Sequence, residues 1–142
     1  MPITRSSAQR SKPLEEFYRD LSREESDGSL KNGKMMLDLL RMINQLFKET
    51  QLYGLTSHHR LVIQREDNWE SPWYIIVSAV GNEYELKFLL PEYKQPWEHA
   101  RVIGGAKTLA EIRRKLIIAM HECEAWPDSE ELKDLVRGLN EE

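Results

Sequence analysis

Four histidines, a single cysteine, a short basic stretch and four tryptophans are the groups in this 142-residue chain whose chemistry merits a search. Metal binding or acid–base catalysis would draw on the histidines. His58 and His59 are adjacent, His99 sits in the proline-rich stretch 91–100, and His121 precedes Cys123 by two positions. Two ligands at i and i+2 on a helix point about 200° apart, so His121 and Cys123 cannot share a metal ion there. No HExxH and no cysteine pair with zinc spacing occurs. A lone cysteine with a distant histidine lacks any nucleophile signature around it, and Cys123 fits a small buried residue on an apolar helix face. We therefore expect no metal, no cofactor and no catalytic residue. An enzyme of unrecognised type is the weakest of three functional readings.

Anion binding would draw on Gly104, Gly105 and Lys107 ahead of a helix that starts at Thr108, followed by Arg113 and Arg114. Two glycines, a lysine and backbone N–H groups at a helix start are suitable materials for a phosphate. The Walker spacing is absent, however, and Arg113 and Arg114 face away from the apolar stripe of their helix, so a solvated face accounts for them. A net charge of −4 argues against general nucleic-acid binding, which needs many phosphates neutralised at once. A nucleic-acid or anion-binding module is the second reading.

Protein recognition is the first. Trp69 sits among polar loop residues and Trp97 in the proline-rich stretch 91–100, where large aromatics either pin a loop or line a binding surface. Tyr74, Ile76 and Leu89, with Val62, form an apolar island among charges on one face of the expected sheet. The chain thus reads as a small non-catalytic protein-binding or adaptor module, of a size and acidity suited to neutralising a toxin or effector. Its partner would be another protein, contacted through Trp69, Tyr74, Ile76, Leu89 and Trp97. The same island is also open to covering by the N-terminal helix around Phe17 and Leu21, or to back-to-back pairing of two copies as a homodimer.

These residues must be positioned by a small set of elements. Residues 1–12 are polar and aperiodic and read as a disordered arm, leaving 13–142 as one domain. Pro13, Leu14, Phe17, Tyr18 and Leu21 open a helix that stops near Glu25. A stronger helix from about residue 34 to 51 carries Met36, Leu39, Leu40, Ile43, Leu46 and Phe47 on one stripe, with Gly54 as its terminator.

The period then changes to two over 60–66, 72–80 and 83–90. Gly81 and Asn82 form a two-residue hairpin turn, which pairs Val80 with Glu83, Val77 with Leu86, Ile75 with Phe88 and Trp73 with Leu90. Continuing outward, Ile63 falls opposite Ile75, Leu61 opposite Val77 and Arg65 opposite Trp73. Leu61, Ile63, Trp73, Ile75, Val77, Tyr84, Leu86 and Phe88 then share the core face. Residues 101–103 offer a short fourth strand. Thr108 with Glu111 is a capping box for the third helix, and Asp128 or Ser129 caps a last one carrying Leu132, Leu135, Val136 and Leu139.

The fold class is α+β, an antiparallel three- or four-stranded meander with helices on one face, in the order α-α-β-β-β-(β)-α-α. No apolar run approaches the roughly 18 residues that span a bilayer, and a single cysteine forms no intrachain disulfide. The expected setting is cytoplasmic, without membrane contact.

Overall fold

The computed structural model describes residues 3–7, 13–21, 29–68 and 70–141. Over these residues the chain is α+β, with four α-helices and a six-stranded mixed sheet whose strands lie in sequence order. The strands are β1 (Thr4–Arg5), β2 (Tyr53–Ser57), β3 (Arg60–Gln64), β4 (Ile75–Val80), β5 (Glu83–Leu89) and β6 (Arg101–Ala106). The helices are α1 (Leu14–Leu21), α2 (Ser29–Leu46), α3 (Leu109–Glu122) and α4 (Glu130–Asn140). Every neighbouring pair of strands is antiparallel except β1 with β2, which is parallel.

The centre of the sheet has the expected register. Gly81 and Asn82 both adopt left-handed backbone, φ 58° and 69°, as a two-residue hairpin turn requires. Val80 pairs with Glu83, Val77 with Leu86, Ile75 with Phe88, Ile63 with Ile75 and Leu61 with Val77. A slip of one residue would expose this whole set, so packing and turn agree. Leu61, Ile63, Ile75, Val77, Tyr84, Leu86 and Phe88 meet residues of all four helices in one buried core.

The sheet is nevertheless larger than the expected three or four strands. β2 escaped the pattern because its sequence, Tyr-Gly-Leu-Thr-Ser, holds one aliphatic residue and its hairpin to β3 turns on His58 and His59 rather than on Asn-Gly. Both histidines take positive φ, 51° and 68°. Gly54 is a strand residue and not a helix terminator. A Cβ there would lie 2.8 Å from the Leu14 side chain and 3.1 Å from that of Ile3, so only glycine lets α1 and β1 approach.

β1 corrects the reading of 1–12 as a disordered arm in the part that is described. Thr4 N donates to Leu52 O and Ser6 N to Gly54 O, and Asp67 accepts from Ser6 and Ser7. A polar, aperiodic segment is held here by backbone pairing, which no side-chain pattern reveals. β6 runs through Gly104 and Gly105 to Ala106, well past the three residues expected.

α2 also differs in its limits. It begins at Ser29 and passes through Gly33, whose penalty of about 1 kcal/mol is outweighed by about 1.5–3 kcal/mol for each buried side chain on its stripe. It ends at Leu46 because the next amides are taken by another element. Lys48, Glu49 and Thr50 N–H groups all donate to the Glu131 carboxylate of α4, at 2.6–2.9 Å. Burial opposes ionisation of Glu131, but these bonds and the Thr50 hydroxyl prevail and hold its carboxyl below the usual range. The expected end of α1 near Glu25 lies outside the described residues.

The two helix caps match expectation. Thr108 Oγ1 accepts from Glu111 N, and Ser129, rather than Asp128, accepts from Leu132 N. Helix α1 packs into the main core, so it does not cover the second face of the sheet. There Leu55, Val62 and Ile76 form a small separate cluster beneath the Trp73 side chain.

Candidate functional site

Trp73 and Tyr74 exchange the faces that simple alternation gives them. The β4 ladder begins only at Ile75, so the pairs Arg65–Trp73 and Trp73–Leu90 do not form. Residues 71–74 instead enter the sheet as an irregular segment. Gln64, fully buried on β3, donates from Nε2 to Ser71 O at 3.0 Å, and Leu89 N donates to Tyr74 O at 2.9 Å. Held by these two bonds, Trp73 packs over Ile76 and Val62, while Tyr74 joins the helical core with its ring edge-on to Trp126 at 5.8 Å.

Beside this segment opens a cleft of about 600 Å³. One wall is Trp73 and Tyr74, another is Leu89, Leu90 and Pro91 at the end of β5, and Cys123 lies at the end of α3. The connection 91–99 forms the outer rim, closed on itself by Gln95, which donates from Nε2 to Leu90 O and accepts from His99 N. Tyr93 reaches from this rim to the Glu124 carboxylate, its hydroxyl 2.6 Å from Oε2.

Charge is distributed unevenly around the cleft. Glu70, Glu92 and Glu98 are exposed at its margin, while Arg101 enters from β6 and donates from Nη1 to Trp73 O at 2.7 Å. Desolvation, with the nearby Arg60 charge second, lowers the Arg101 guanidinium below its usual value. Neither arginine forms an ion pair with a described carboxylate; Arg60 donates to the Ser57 backbone and hydroxyl instead. The cleft thus has aromatic and aliphatic walls, one cation with spare donors and an acidic margin. Burial pushes the Tyr74 hydroxyl up and the Cys123 thiol to about 11, so the thiol stays protonated near neutral pH and is a poor nucleophile.

Of the residues expected to bind a partner, Tyr74 and Leu89 come together in this cleft. Trp97 is 73 % exposed on the rim connection, unpinned, whereas Trp126 is buried. Ile76 is 7 % exposed beneath Trp73 and is not available at the surface. Trp69 lies outside the described residues. The apolar island on the second face is therefore mostly interior, and the exposed aromatic surface has moved to its end. Arg101, Trp73 and Tyr93 were not singled out from the sequence. Arg101 carried no signal because its strand was only three residues long in that reading.

The anion candidates separate. Gly104 and Gly105 belong to β6, not to a turn. At the start of α3 the Glu111 carboxylate accepts from Lys107 N and from the Thr108 hydroxyl, so an external anion would have to displace a carboxylate of the chain itself. Arg113 is half-buried and Arg114 exposed on the outer side of α3. Among the described residues no group of three His, Cys, Asp or Glu is placed to hold a metal ion, and no helix is long and apolar enough to cross a membrane. Comparison with protein families, curated proteins and solved structures finds no match to this chain.

Proposed function

We propose that the protein is a small binding module that takes a segment of another protein into the cleft between residues 70–74 and 89–101. The observation that carries this reading is the convergence of Trp73, Tyr74 and Leu89 on one cavity together with Arg101, a partly desolvated cation without a carboxylate partner among the described residues. An apolar side chain of the segment would seat against the aromatic wall. Arg101 would donate to a backbone carbonyl or carboxylate of the same segment, and the glutamates at the margin favour basic residues flanking the anchor. Trp97 and Tyr93, exposed on the rim, supply rigid amphipathic area for the remainder of the contact. Such a module would act by occupying its partner, in keeping with a regulatory or neutralising role.

Panning a displayed random-peptide library against the purified chain tests this reading. Enriched peptides should share an apolar anchor with Lys or Arg beside it, and should lose binding to Leu89→Glu and to Trp97→Ala while both variants keep the wild-type circular dichroism. Absence of enrichment, or peptides that bind both variants as well as wild type, would refute it.

A further inference from the structure

The last strand of the sheet is free along its outer side among the described residues. Leu90 N donates to Ala100 O, and Leu89 N donates to Tyr74 O on the other side of β5. Residues alternate in an antiparallel ladder, so 100, 102, 104 and 106 direct their peptide groups to β5, whereas Arg101, Ile103 and Gly105 direct theirs outward. One of these outward groups is satisfied within the chain: Lys115 Nζ reaches from α3 to Gly105 O. The other outward groups lie along a strand that carries one charge, Arg101 at its start, and over 102–106 no charge, proline or bulge, the devices that ordinarily close an edge.

Side chains on both sides of this edge are also uncovered. Ile103 is 63 % exposed on the open face of the sheet and Val102 41 % exposed on the helical face. Ile118, 38 % exposed, follows Lys115 by three positions on α3 and so lies on the flank that faces the edge. Between them come two consecutive glycines that the chain itself does not require. A Cβ on Gly104 would meet only the Lys115 side chain at 3.7 Å, and one on Gly105 only Tyr84 O at 3.7 Å, both ordinary contacts. Neither glycine has positive φ. Glycine weakens a strand, and where the fold does not need it, the close approach of another backbone is the physical reason that remains.

We propose that β6 pairs with β6 of a second copy, antiparallel about a two-fold axis through Ile103. The register follows from the outward groups. Ile103 exchanges both hydrogen bonds with its own counterpart, and Arg101 pairs with Gly105 of the other copy, whose carbonyl has a second lone pair for the Arg101 N–H beside the one that Lys115 takes. Val102 faces the other copy's Gly104, so a bulky residue meets a glycine at each pair off the axis. Ile103 packs on its counterpart on one face of the joined sheet, with Val102 and Ile118 near the axis on the other. A second copy is favoured over a foreign strand because the pattern is self-complementary about one residue: apolar at the axis, large against small on either side. This inference is independent of the cleft reading, since it concerns the outer edge of β6 and is read out by mass.

Light scattering on the full chain across a dilution series should give twice the 16.7 kDa chain mass. Ile103→Lys sets two ammonium groups opposite each other at the axis. It should weaken the dimer at least about tenfold while leaving circular dichroism unchanged. Ile103→Cys should cross-link to a covalent dimer with a short bismaleimide, whereas Val80→Cys, equally exposed but off the edge, should not. Wild type supplies the blank, because its Cys123 is buried. A wild-type monomer at every concentration, a dimer indifferent to Ile103→Lys, or equal cross-linking at positions 80 and 103 would each overturn the proposal. A wild-type monomer that instead pairs its edge with a strand of a different protein would overturn it as well.

Discussion

The two ends of the sheet use the same residue type for opposite reasons. At the β1–β2 end Gly54 is enclosed by Leu14, Ile3 and Leu61, and any side chain there would enter occupied space. At the β6 end Gly104 and Gly105 have room for a methyl group and no unusual backbone angle. The first end is tied down by contacts from distant parts of the chain. Asp67 holds Ser6 and Ser7, Asn44 accepts from Ile3 N at 2.8 Å, Tyr18 bonds the β2–β3 turn, and Glu131 clamps the chain entering β2. Among the described residues the second end is held by fewer such ties, Lys115 to the Gly105 carbonyl and Arg101 to the Trp73 carbonyl. A glycine is thus informative only with its surroundings: one marks internal closeness, the other two leave space for something outside the chain.

Gly54→Val gives the largest expected break in this contrast. Valine favours strands, so propensity alone would make the change stabilising. The contacts with Leu14 and Ile3 predict instead a loss of about 2 kcal/mol or more, because both neighbours are themselves buried in a packed core. Urea denaturation followed by circular dichroism measures it. A variant as stable as wild type would mean that α1 and β1 can retreat from β2, and that the first end is no tighter than the second.

Legibility followed the same division. From Ile75 onward the β3–β4–β5 meander was readable to the individual pair because alternation and a Gly81–Asn82 turn specify one register together. Capping of α3 and α4 was readable because Thr108, Glu111 and Ser129 act on their own neighbours in sequence. What could not be read was held by partners far along the chain. β1 and β2 depend on backbone pairing and on side chains 40 or more positions away, as in Tyr18 with the His59 carbonyl. Trp73 and Tyr74 misled for a related reason. Alternation assigns faces only inside a ladder, and Gln64 with Ser71 keeps residues 71–74 outside it. The cleft inherits that difficulty, since its walls meet only once the irregular segment is in place. Tyr74 and Leu89 were singled out and line the cleft, Tyr74 from the opposite face to the one expected; Arg101 and Trp73 were not singled out, and Ile76 was credited with an exposure that Trp73 removes.

A smaller effect is expected at Glu131, which sharpens the contrast through pH. Its folded carboxyl titrates below the ordinary value because the folded state donates bonds to the ionised form. The stabilisation is therefore complete above the unfolded value of about 4.3 and disappears as pH falls through the lower folded value. Glu131→Gln should cost about 1 kcal/mol near pH 7, discounted for a largely solvated group, and the gap to wild type should narrow in acid. Denaturation at pH 7 and pH 3 checks it. A gap that persists at pH 3 would assign the effect to shape and not to charge.

Tyr18→Phe comes next, at about 1 kcal/mol or slightly less. It removes one bond, Tyr18 hydroxyl to His59 carbonyl at 3.1 Å, from a turn whose two histidines both hold left-handed backbone. Replacing His59 by Gly in the same background should restore part of the loss by removing that backbone strain. If His59→Gly instead adds to the loss, the histidine ring tilted against Phe17, centroids 5.9 Å apart, contributes more than its backbone angle costs.

Gly105→Ala is the smallest change and the sharpest test of the comparison, because its sign is opposite. The methyl group would project on the open face with only the Tyr84 carbonyl near it, and the alanine would reduce the freedom of the unfolded chain. The expected result is a gain of up to about 0.5–1 kcal/mol, or no change, in denaturation of the full chain diluted until light scattering reports a monomer, where only the space within one chain decides. Gly54 and Gly105 would then differ by more than 2 kcal/mol in the response to added bulk, on a single sheet, for reasons visible in their neighbours. A loss at Gly105 comparable to that at Gly54 would show that the β6 end needs its glycines for folding. The argument that they mark the approach of a second strand would fall with it, because their presence would already be explained within one chain.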